Sequence, residues 1–297
     1  MPATSGLGAM VTTCCLLDAA SHATDRRILG LRPPMVELQV AEIKNTHWNG
    51  DVYEPSDDTF LLVDALQEHA TTWASDFPRC CLELGSGSGY VITSLALLLR
   101  QLPLPATHDP PPAPPPPPPA RSPAPAPSPA PAPPGCSSGG GSSRRRFCQL
   151  VAVDHSPAAV EATRLTLHAH QVPGVEVLAA SLLGPVAERL RGAVDVMVFN
   201  PPYVPTPDEE VERGGIASAW AGGHRGRRVI DRVLPLLPEL LSPRGELFMV
   251  TVTENDPKGI LREMGALGFE GRIAASRQAD EESLQIVHLW RRRPADG

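Results

Sequence analysis

The sequence predicts a doubly wound α/β fold, in which a mostly parallel sheet is covered by helices on both faces. Two observations support this prediction. From Arg79 onward, short apolar runs alternate with stretches of helical periodicity, an order that is typical of strand–helix–strand units. The predicted strands are also apolar along their whole length, as expected when both faces of a sheet are buried.

The predicted elements follow one another in a regular order. The first strand, CCLEL at 80–84, leads through a glycine loop into a helix that ends near Leu99. Ser156 caps the next helix and Pro157 occupies its first position, a common arrangement at helix starts. The other predicted strands lie at 148–154, 175–180, 194–199, 245–252 and 283–291, and the helices at 156–171, 227–241 and 257–268.

Most of the prolines fall in a single segment. The chain has 297 residues and 35 prolines, and the run from Gln101 to Phe147 is rich first in Pro and then in Gly and Ser. This run offers almost nothing to bury, so it is predicted to be a disordered insertion at 101–147. Residues 1–45 form a poorly patterned N-terminal extension. One domain, 46–297, remains, and it is long enough for one well-filled core.

Charge and cysteine content exclude several classes of protein. The net charge of −7 argues against a main role in nucleic-acid binding, because phosphate contacts need basic surfaces. The longest apolar run, 91–99, is much shorter than the ~20 residues of a membrane-spanning helix.

The six cysteines lack zinc spacing, so no metal site is predicted and a reducing compartment is favoured. The basic clusters at 144–146, 224–228 and 291–293 are interpreted as solvated charge.

The loop ELGSGSG, Glu83 to Gly89, is the first of three chemical signals. Its glycines permit positive φ angles and close approach of a ligand, and the following helix presents free backbone N–H groups. A nucleotide-binding loop of this kind needs an acidic residue ~20 residues further on to hold a ribose. Asp154 ends the second strand 67 residues after Gly87, and discounting the 47-residue insertion restores the expected spacing.

The second signal is Glu83, at the end of the first strand. A carboxylate at this position would repel the pyrophosphate of a dinucleotide and attract a cation. S-adenosylmethionine carries an ammonium and a sulfonium group and no phosphate. It is therefore the predicted cofactor.

The third signal is NPPY, Asn200 to Tyr203, directly after the strand at 194–199. Ligands of open α/β sheets bind beyond the carboxyl ends of the strands. The Asn200 side-chain oxygen and the Pro201 carbonyl can accept the two N–H bonds of a substrate –NH2, Pro202 stiffens the turn, and the Tyr203 ring is expected to stack on the substrate. The predicted reaction is in-line methyl transfer to nitrogen, which requires alignment but no metal.

Together these motifs resemble class I S-adenosylmethionine-dependent amino-methyltransferases. DVYEPSDDTFLLVDAL (51–66), AWAGGHRGRRVIDR (219–232) and LLSPRGELFMVT (240–251) narrow the resemblance to the HemK-like eukaryotic and archaeal glutamine methyltransferases, which modify the GGQ loop of the class-one translation release factor. The likeness covers about 51–290 apart from the insertion. It implies a seven-stranded Rossmann-like sheet and cofactor contacts from Thr59, Glu83, Gly85, Gly87, Gly89, Asp154, Ser181, Leu182 and Asn200.

One position departs from the family pattern. Members usually have an aspartate just after the third strand, which binds the adenine amino group, and the aligned residue here is Ser181, followed by Leu182. A serine hydroxyl can accept the same hydrogen bond without a charge. The resemblance therefore implies a weaker contact to adenine.

The resemblance also implies a partner. Family members of this type work as heterodimers with a small zinc-binding activator, and the apolar edge strand at 175–180 is the predicted docking site. Histone lysine stays open as a second substrate class. DNA or RNA amino-methyltransferase and non-catalytic cofactor-binding module are the alternative functions. The expected compartment is the cytoplasm, with the nucleus and an organelle also open.

Overall fold

The computed structural model describes residues 38–103, 147–184, 186–279 and 282–292. Within these ranges, seven strands form one sheet in the order β3-β2-β1-β4-β5-β7-β6. The strands are β1 (Cys80–Leu84), β2 (Gln149–Asp154), β3 (Val175–Ala179), β4 (Val194–Phe199), β5 (Leu241–Val252), β6 (Phe269–Ala279) and β7 (Glu282–Arg291). The pairs from β3 to β5 are parallel, whereas β7 is antiparallel to β5 and to β6. The predicted mostly parallel, doubly wound sheet is confirmed.

Eight α-helices accompany the sheet in the described ranges. They are α1 (Asp57–His69), α2 (Tyr90–Gln101), α3 (Pro157–Ala169), α4 (Val186–Arg189), α5 (Asp208–Arg213), α6 (Ile230–Val233), α7 (Leu237–Leu240) and α8 (Pro257–Ala266). Ser156 caps α3 as predicted, because its side chain accepts a hydrogen bond from the amide of Ala159. No helix in the described part of the chain is long and apolar enough to span a membrane.

Two hydrophobic clusters cover the two faces of the sheet. Cys81 belongs to the cluster that contains α1 and α2, and Leu82 belongs to the cluster that contains α6 to α8. Successive residues of a strand point to opposite faces, so a strand buried on both sides is apolar at most positions. The buried Glu83 of β1 and Asp195 of β4 are exceptions, and both accept hydrogen bonds.

The C-terminal half differs from the prediction in two places. The helix predicted at 227–241 is broken into α6 and α7, because Pro235 and Pro238 lack the N–H groups that a continuous helix needs. Strand β6 was not predicted. Its residues are mostly half-buried or exposed, as expected for an edge strand, so it lacks the continuous apolar run of the central strands.

The predicted domain boundaries lie a few residues inside the packed domain. Leu38 and Ala41 are buried in the first hydrophobic cluster, and the Ala41 amide donates a hydrogen bond of 3.1 Å to Ser94 Oγ. Helix α2 includes Gln101, and Leu102 is buried in the same cluster. The boundaries at 45 and 101 are therefore corrected. Residues 104–146, which are predicted to be disordered, lie outside the described residues. So do residues 1–37 of the N-terminal extension.

This boundary can be tested by deletion. Removing residues 104–146 and joining Pro103 to Phe147 by a short Gly/Ser turn is expected to change the free energy of unfolding by less than ~1 kcal/mol, because each doubling of loop length costs only ~0.6 kcal/mol. A matched deletion that also removes Leu102 is expected to cost about 2–5 kcal/mol, as for other buried leucines. Urea unfolding measures both. Equal midpoints would contradict the core position of Leu102.

Candidate active site

A cavity of about 280 Å³ lies at the carboxyl ends of β1, β2 and β4. The structure brings most of the predicted site residues together on its walls: Thr59, Glu83, Gly85, Gly87, Asp154, Ser181, Leu182, Asn200 and Pro202. Three predicted residues do not line the cavity, namely Gly89, Pro201 and Tyr203. The site therefore lies where the fold predicts it, with some residues in supporting positions.

Two glycines of the loop are required for different structural reasons. Gly87 has a φ of 50°, and a Cβ atom there would meet nothing within 4 Å, so the backbone conformation alone requires glycine and open space remains beside the loop. Gly89 has a φ of 78°, and its Cβ would lie 2.7 Å from the Cα of Thr163. Gly89 thus permits the start of α2 to pack against α3, and its predicted contact to the cofactor stays a prediction.

Hydroxyl groups of α3 hold the glycine loop in place. Thr163 Oγ1 lies 2.9 Å from Ser86 Oγ and donates to the Gly87 carbonyl at 3.1 Å. Thr166 Oγ1 donates to the Ser88 carbonyl at 2.7 Å. These contacts were missed in the sequence, where the only signal is two threonines, three residues apart, on the buried face of a helix.

Asp154 joins the end of β2 to the glycine loop. Its Oδ2 accepts the Gly87 amide at 2.9 Å, and its Oδ1 accepts the Ser156 amide at 2.9 Å. Both oxygens keep a further lone pair for a ligand. The carboxylate is therefore oriented by the backbone before any ribose is bound.

Glu83 is almost completely buried, with 2% of its surface exposed. Its Oε2 accepts the Ile92 amide in the first turn of α2 at 2.9 Å. Burial raises the pKa of Glu83 well above its usual range, and the nearby charge of Asp154 raises it further, against the opposing effect of the Ile92 hydrogen bond. A bound cation would favour the ionised form of this carboxyl.

A buried carboxylate that was not predicted, Asp58, organises the opposite wall of the cavity. Its Oδ2 accepts hydrogen bonds from Asn200 Nδ2 at 2.9 Å, from the Tyr53 hydroxyl at 3.2 Å and from the Tyr203 hydroxyl at 3.3 Å. Its Oδ1 accepts the Thr59 amide at 2.6 Å. The start of α1 and the NPPY turn are thereby fixed to one side chain.

This arrangement determines the orientation of the Asn200 amide. A carboxylate only accepts hydrogen bonds, so the Nδ2 group must face Asp58 and Oδ1 must point the other way. Asn200 Oδ1 is buried and has no hydrogen-bond partner in the described part of the chain. The Pro201 carbonyl also accepts no hydrogen bond from the described residues. Both oxygens therefore keep unused acceptor capacity, and Asn200 lines the cavity.

The predicted stacking role of Tyr203 stays a prediction, because the structure does not place the ring at the cavity. Its ring is buried in the first hydrophobic cluster, with 7% of the residue exposed, and it does not line the cavity. Burial, together with the charge of Asp58, raises the pKa of Tyr203, so the hydroxyl stays a hydrogen-bond donor. Tyr203 therefore acts on the site through Asp58.

Asn255, which is fully buried, stabilises the NPPY turn through hydrogen bonds. Asn255 Nδ2 donates to the carbonyls of Tyr203 at 2.9 Å and Arg225 at 2.8 Å, and its Oδ1 accepts the Val252 amide at 2.8 Å. A Cβ atom at Gly226 would lie 1.7 Å from the Tyr203 carbonyl oxygen. The glycines of the 219–232 motif thus allow a second loop to pack directly against NPPY.

The basic cluster at 224–228 is not simply solvated, contrary to the prediction. Arg227 pairs with Asp231 and Glu263, and Arg228 lies 3.6 Å from Asp208 and 3.8 Å from Glu212 on α5. Arg291 likewise donates to two backbone carbonyls. The cluster at 144–146 lies outside the described residues.

The end of the cavity beside β3 differs in character from the rest. Ser181 is exposed there, next to Leu182 with its φ of 50°, and Arg232 lines the same cavity. No acidic side chain follows β3 before Gly184. The adenine contact predicted at this end would therefore involve an uncharged hydroxyl.

Comparison with known proteins gives close matches over most of the chain. No family model matches the sequence. The mouse protein Methyltransferase HEMK2 is 38% identical over 239 residues, which cover 80% of this chain and 89% of the mouse protein. Its human counterpart is 37% identical, with coverages of 80% and 88%.

Two fungal proteins are also similar. The eRF1 methyltransferase catalytic subunit mtq2 of Schizosaccharomyces pombe is 30% identical over 247 residues, covering 81% of this chain and 90% of the yeast protein. Among solved structures, the E. cuniculi Mtq2–Trm112 complex matches with 25% identity and a TM-score of 0.46, over 81% of this chain and 99% of that chain.

The buried charge of Glu83 leads to a first prediction for this site. Replacing Glu83 by Gln keeps an acceptor for the Ile92 amide but removes the negative charge. We expect binding of S-adenosylmethionine to weaken roughly tenfold or more, because a hydrogen bond to a charged group contributes about 1.5–3 kcal/mol. Calorimetry measures this, and Glu161→Gln on the exposed side of α3 is the matched control. Equal affinities would remove Glu83 from the site.

The same variant tests the raised pKa. A carboxyl whose pKa is higher in the folded than in the unfolded state destabilises the protein as pH rises above the usual range of glutamic acid. Without cofactor, Glu83→Gln is therefore expected to melt at a higher temperature than the parent at neutral pH. The difference should shrink at mildly acidic pH, where Glu83 is protonated. A lower melting temperature at neutral pH would contradict this.

Proposed function

The chain belongs to the HEMK2 family of methyltransferases, and from this premise we propose that it methylates the side-chain amide of the GGQ-loop glutamine in the class-one translation release factor. The observation that supports this most directly is the buried, unpartnered Oδ1 of Asn200. Asn200 lines the cavity that fits the methyl donor, and the carbonyl of the next residue, Pro201, accepts no hydrogen bond from the described residues. Two adjacent acceptors suit an –NH2 group, which has two N–H bonds to donate.

The cavity residues fit S-adenosylmethionine. Glu83 offers a buried carboxyl for the ammonium group, Asp154 presents oriented oxygens for ribose hydroxyls, and the open space at Gly87 allows close approach to the backbone. The cofactor supplies a methyl group that is activated by a sulfonium sulfur. The protein contributes binding and alignment, which account for much of the rate of an in-line displacement.

Asn200 and Pro201 act on the substrate nitrogen. The lone pair of an amide nitrogen is delocalised into the carbonyl, so the nitrogen is a poor nucleophile. Acceptors on both of its N–H bonds draw electron density towards the nitrogen and fix its direction of attack. Because these acceptors are held in place before the substrate arrives, they need no reorganisation during the reaction.

The surroundings of the cavity favour a protein over a nucleic acid as substrate. Asp51 lines the cavity, and a neighbouring cavity that shares Tyr53 and Ile216 is lined by Glu54 and Asp57. These carboxylates would repel a phosphate backbone. Ile216 is 41% exposed and offers an apolar contact to a peptide. The alternative of a DNA or RNA amino-methyltransferase finds no support in this surface.

The two edges of the sheet support the proposed activator partner. Edge strand β6 has a bulge between Ile273 and Ala275 and carries Arg272 and Arg277, features that discourage pairing with another strand. Edge strand β3 is regular, pairs only with β2 in the described part of the chain, and is apolar except for Glu176, whose charge is paired with Arg189. We therefore include strand addition at β3 in the proposal. The word "subunit" in the name of the S. pombe relative agrees with this.

The proposed substrate also suggests a compartment. A translation release factor acts in the cytoplasm, and the free thiols of Cys80, Cys81 and Cys148 suit a reducing environment. We propose a cytoplasmic location, with the nucleus as a second one.

The roles of Asn200 and Asp58 can be separated by kinetics. Asn200→Ala is expected to lower kcat on release factor by about 10²–10³-fold, a typical loss for one preorganised hydrogen-bonding group. Asp58→Asn is expected to lower kcat similarly, because an amide at 58 no longer dictates which atom of Asn200 faces the substrate. Binding of S-adenosylmethionine should change much less in both variants. Labelled cofactor and release factor, with the activator present, provide the assay.

Matched controls and alternative substrates make this test specific. Glu68→Gln changes an exposed carboxylate further along α1 and should leave kcat within about twofold. A histone-tail peptide and a DNA or RNA duplex replace release factor in parallel reactions. Near-normal turnover by Asn200→Ala would contradict the mechanism, and preferential labelling of nucleic acid or histone would contradict the proposed substrate.

A separate experiment tests the β3 edge. Val175→Asp and Val177→Asp are expected to abolish co-purification with the activator, because a charge on the docking strand disfavours an apolar strand addition. Ser276→Asp on β6 is the matched control and should leave the complex intact. Since both valines also pack on the core, calorimetry with S-adenosylmethionine must show that the variants are folded. Folded variants that still bind the activator would exclude β3 as the docking edge.

A further inference from the structure

Three ligating side chains meet at a second cavity, away from the active site. This cavity, of about 400 Å³, lies towards the amino ends of β4 and β5. His69 comes from the last turn of α1, Glu246 from β5 and His288 from β7. Their positions are far apart in the sequence, so no spacing motif indicates them.

The ligating atoms of the three side chains converge. His288 Nε2 lies 2.7 Å and His69 Nε2 lies 3.1 Å from the same oxygen, Oε2 of Glu246. All three ligand atoms lie within 4.8 Å of one another. Two ligands of a tetrahedral zinc ion, each bound at 2.0–2.2 Å, are ~3.3 Å apart. The two histidine–glutamate separations would therefore open by about 0.2–0.6 Å to admit an ion, and the two histidine ligand atoms, which lie within 4.8 Å of each other, would adjust to the same spacing.

We propose that His69, Glu246 and His288 form a binding site for a divalent transition-metal ion of the zinc type. Two imidazole nitrogens and one carboxylate oxygen are a ligand set that such ions favour over calcium or magnesium, which prefer oxygen. The site is distinct from the catalytic cavity. It is independent of the proposed methyl transfer, so the failure of one proposal does not affect the other.

The surroundings orient the three ligands. Trp73 Nε1 donates to Glu246 Oε1 at 2.6 Å, which turns Oε2 towards the imidazoles. The His288 ring stacks on Phe248 at 4.2 Å between centroids, and the His69 ring packs edge-on against Trp73 and Phe248. Contacts of this kind come from residues that touch the ligands but not the ion, and they hold metal ligands in their binding orientation.

Burial leaves one side of the cluster open. The side chains of His69, Glu246 and His288 are 16%, 12% and 4% exposed. The adjoining cavity has room for water as a remaining ligand, and Thr72 and Asp76 lie on its wall. A bound ion would tie the end of α1 to β5 and β7. It would thereby stabilise the half of the sheet that contains the antiparallel strands.

Zinc titration of the full chain, purified with its activator if the isolated chain is insoluble, tests the proposal. The parent should bind one Zn²⁺ more than His69→Gln or Glu246→Gln does, and zinc already present in the activator cancels in this comparison. Each variant should bind zinc at least ~100-fold more weakly than the parent. This loss is larger than the ~10–100-fold expected if the replaced residue only oriented a ligand. Zinc at a hundred times its Kd should raise the melting temperature of the parent by roughly 5–10 °C.

Three controls make the outcome decisive. His168→Gln, on the exposed face of α3, should bind zinc like the parent. Substitution with Co²⁺ should give ligand-field bands without a thiolate charge-transfer band, which excludes the cysteines. Calorimetry with S-adenosylmethionine should show that both variants are folded, and the partly exposed His69 tolerates substitution best. Equal zinc binding by parent and His69→Gln, a thiolate band, or no zinc binding at micromolar concentration would overturn the proposal.

Discussion

The hydrogen bond from Asn200 Nδ2 to Asp58 is the contact on which the active site depends. An asparagine amide can present either its donor or its acceptor to a substrate, and these two choices have opposite chemical meaning. Asp58 permits only one of them, because a carboxylate cannot donate. The same side chain binds the Tyr203 hydroxyl and the Thr59 amide, so the first helix and the NPPY turn are joined through one residue. Catalytic geometry and local packing are thus fixed by the same buried group.

Three buried carboxyl groups lie at or directly behind the wall of the cavity. Glu83, Asp58 and Asp154 are all at least nine-tenths buried, and burying a charge costs free energy unless it is paired. Asp58 and Asp154 accept several hydrogen bonds from the protein, whereas Glu83 accepts one in the structure described. A cationic ligand offsets this deficit. The free energy that the protein gives up at Glu83 in its ligand-free state therefore favours binding of a positively charged cofactor over neutral analogues.

The signals that sequence analysis recovered are local or regularly spaced. The glycine loop, Asp154 and NPPY each stand at the end of a mostly apolar strand, so their position at the carboxyl edge of the sheet follows from the fold class alone. Asp58 could not be assigned in this way, because it comes from a helix outside the strand–helix order and meets Asn200 only in the folded protein. The same holds for His69, Glu246 and His288. The burial of the Tyr203 ring was not foreseen, because a motif shows which residues are adjacent in sequence but not which side of a turn each faces.

The connection between α2 and β2 is a position where the sequence can vary without disturbing the active site. Helix α2 starts beside the cofactor cavity at Tyr90 and ends at Gln101, and β2 returns from Gln149 to the cavity at Asp154. Both attachment points of the long Pro-rich segment are therefore at the rear of the sheet, one strand length from the glycine loop and its aspartate. Sequence can be gained, lost or exchanged there without altering the register of either element. This connection is therefore a suitable insertion point for a fluorescent reporter or an affinity tag in an intact catalytic domain.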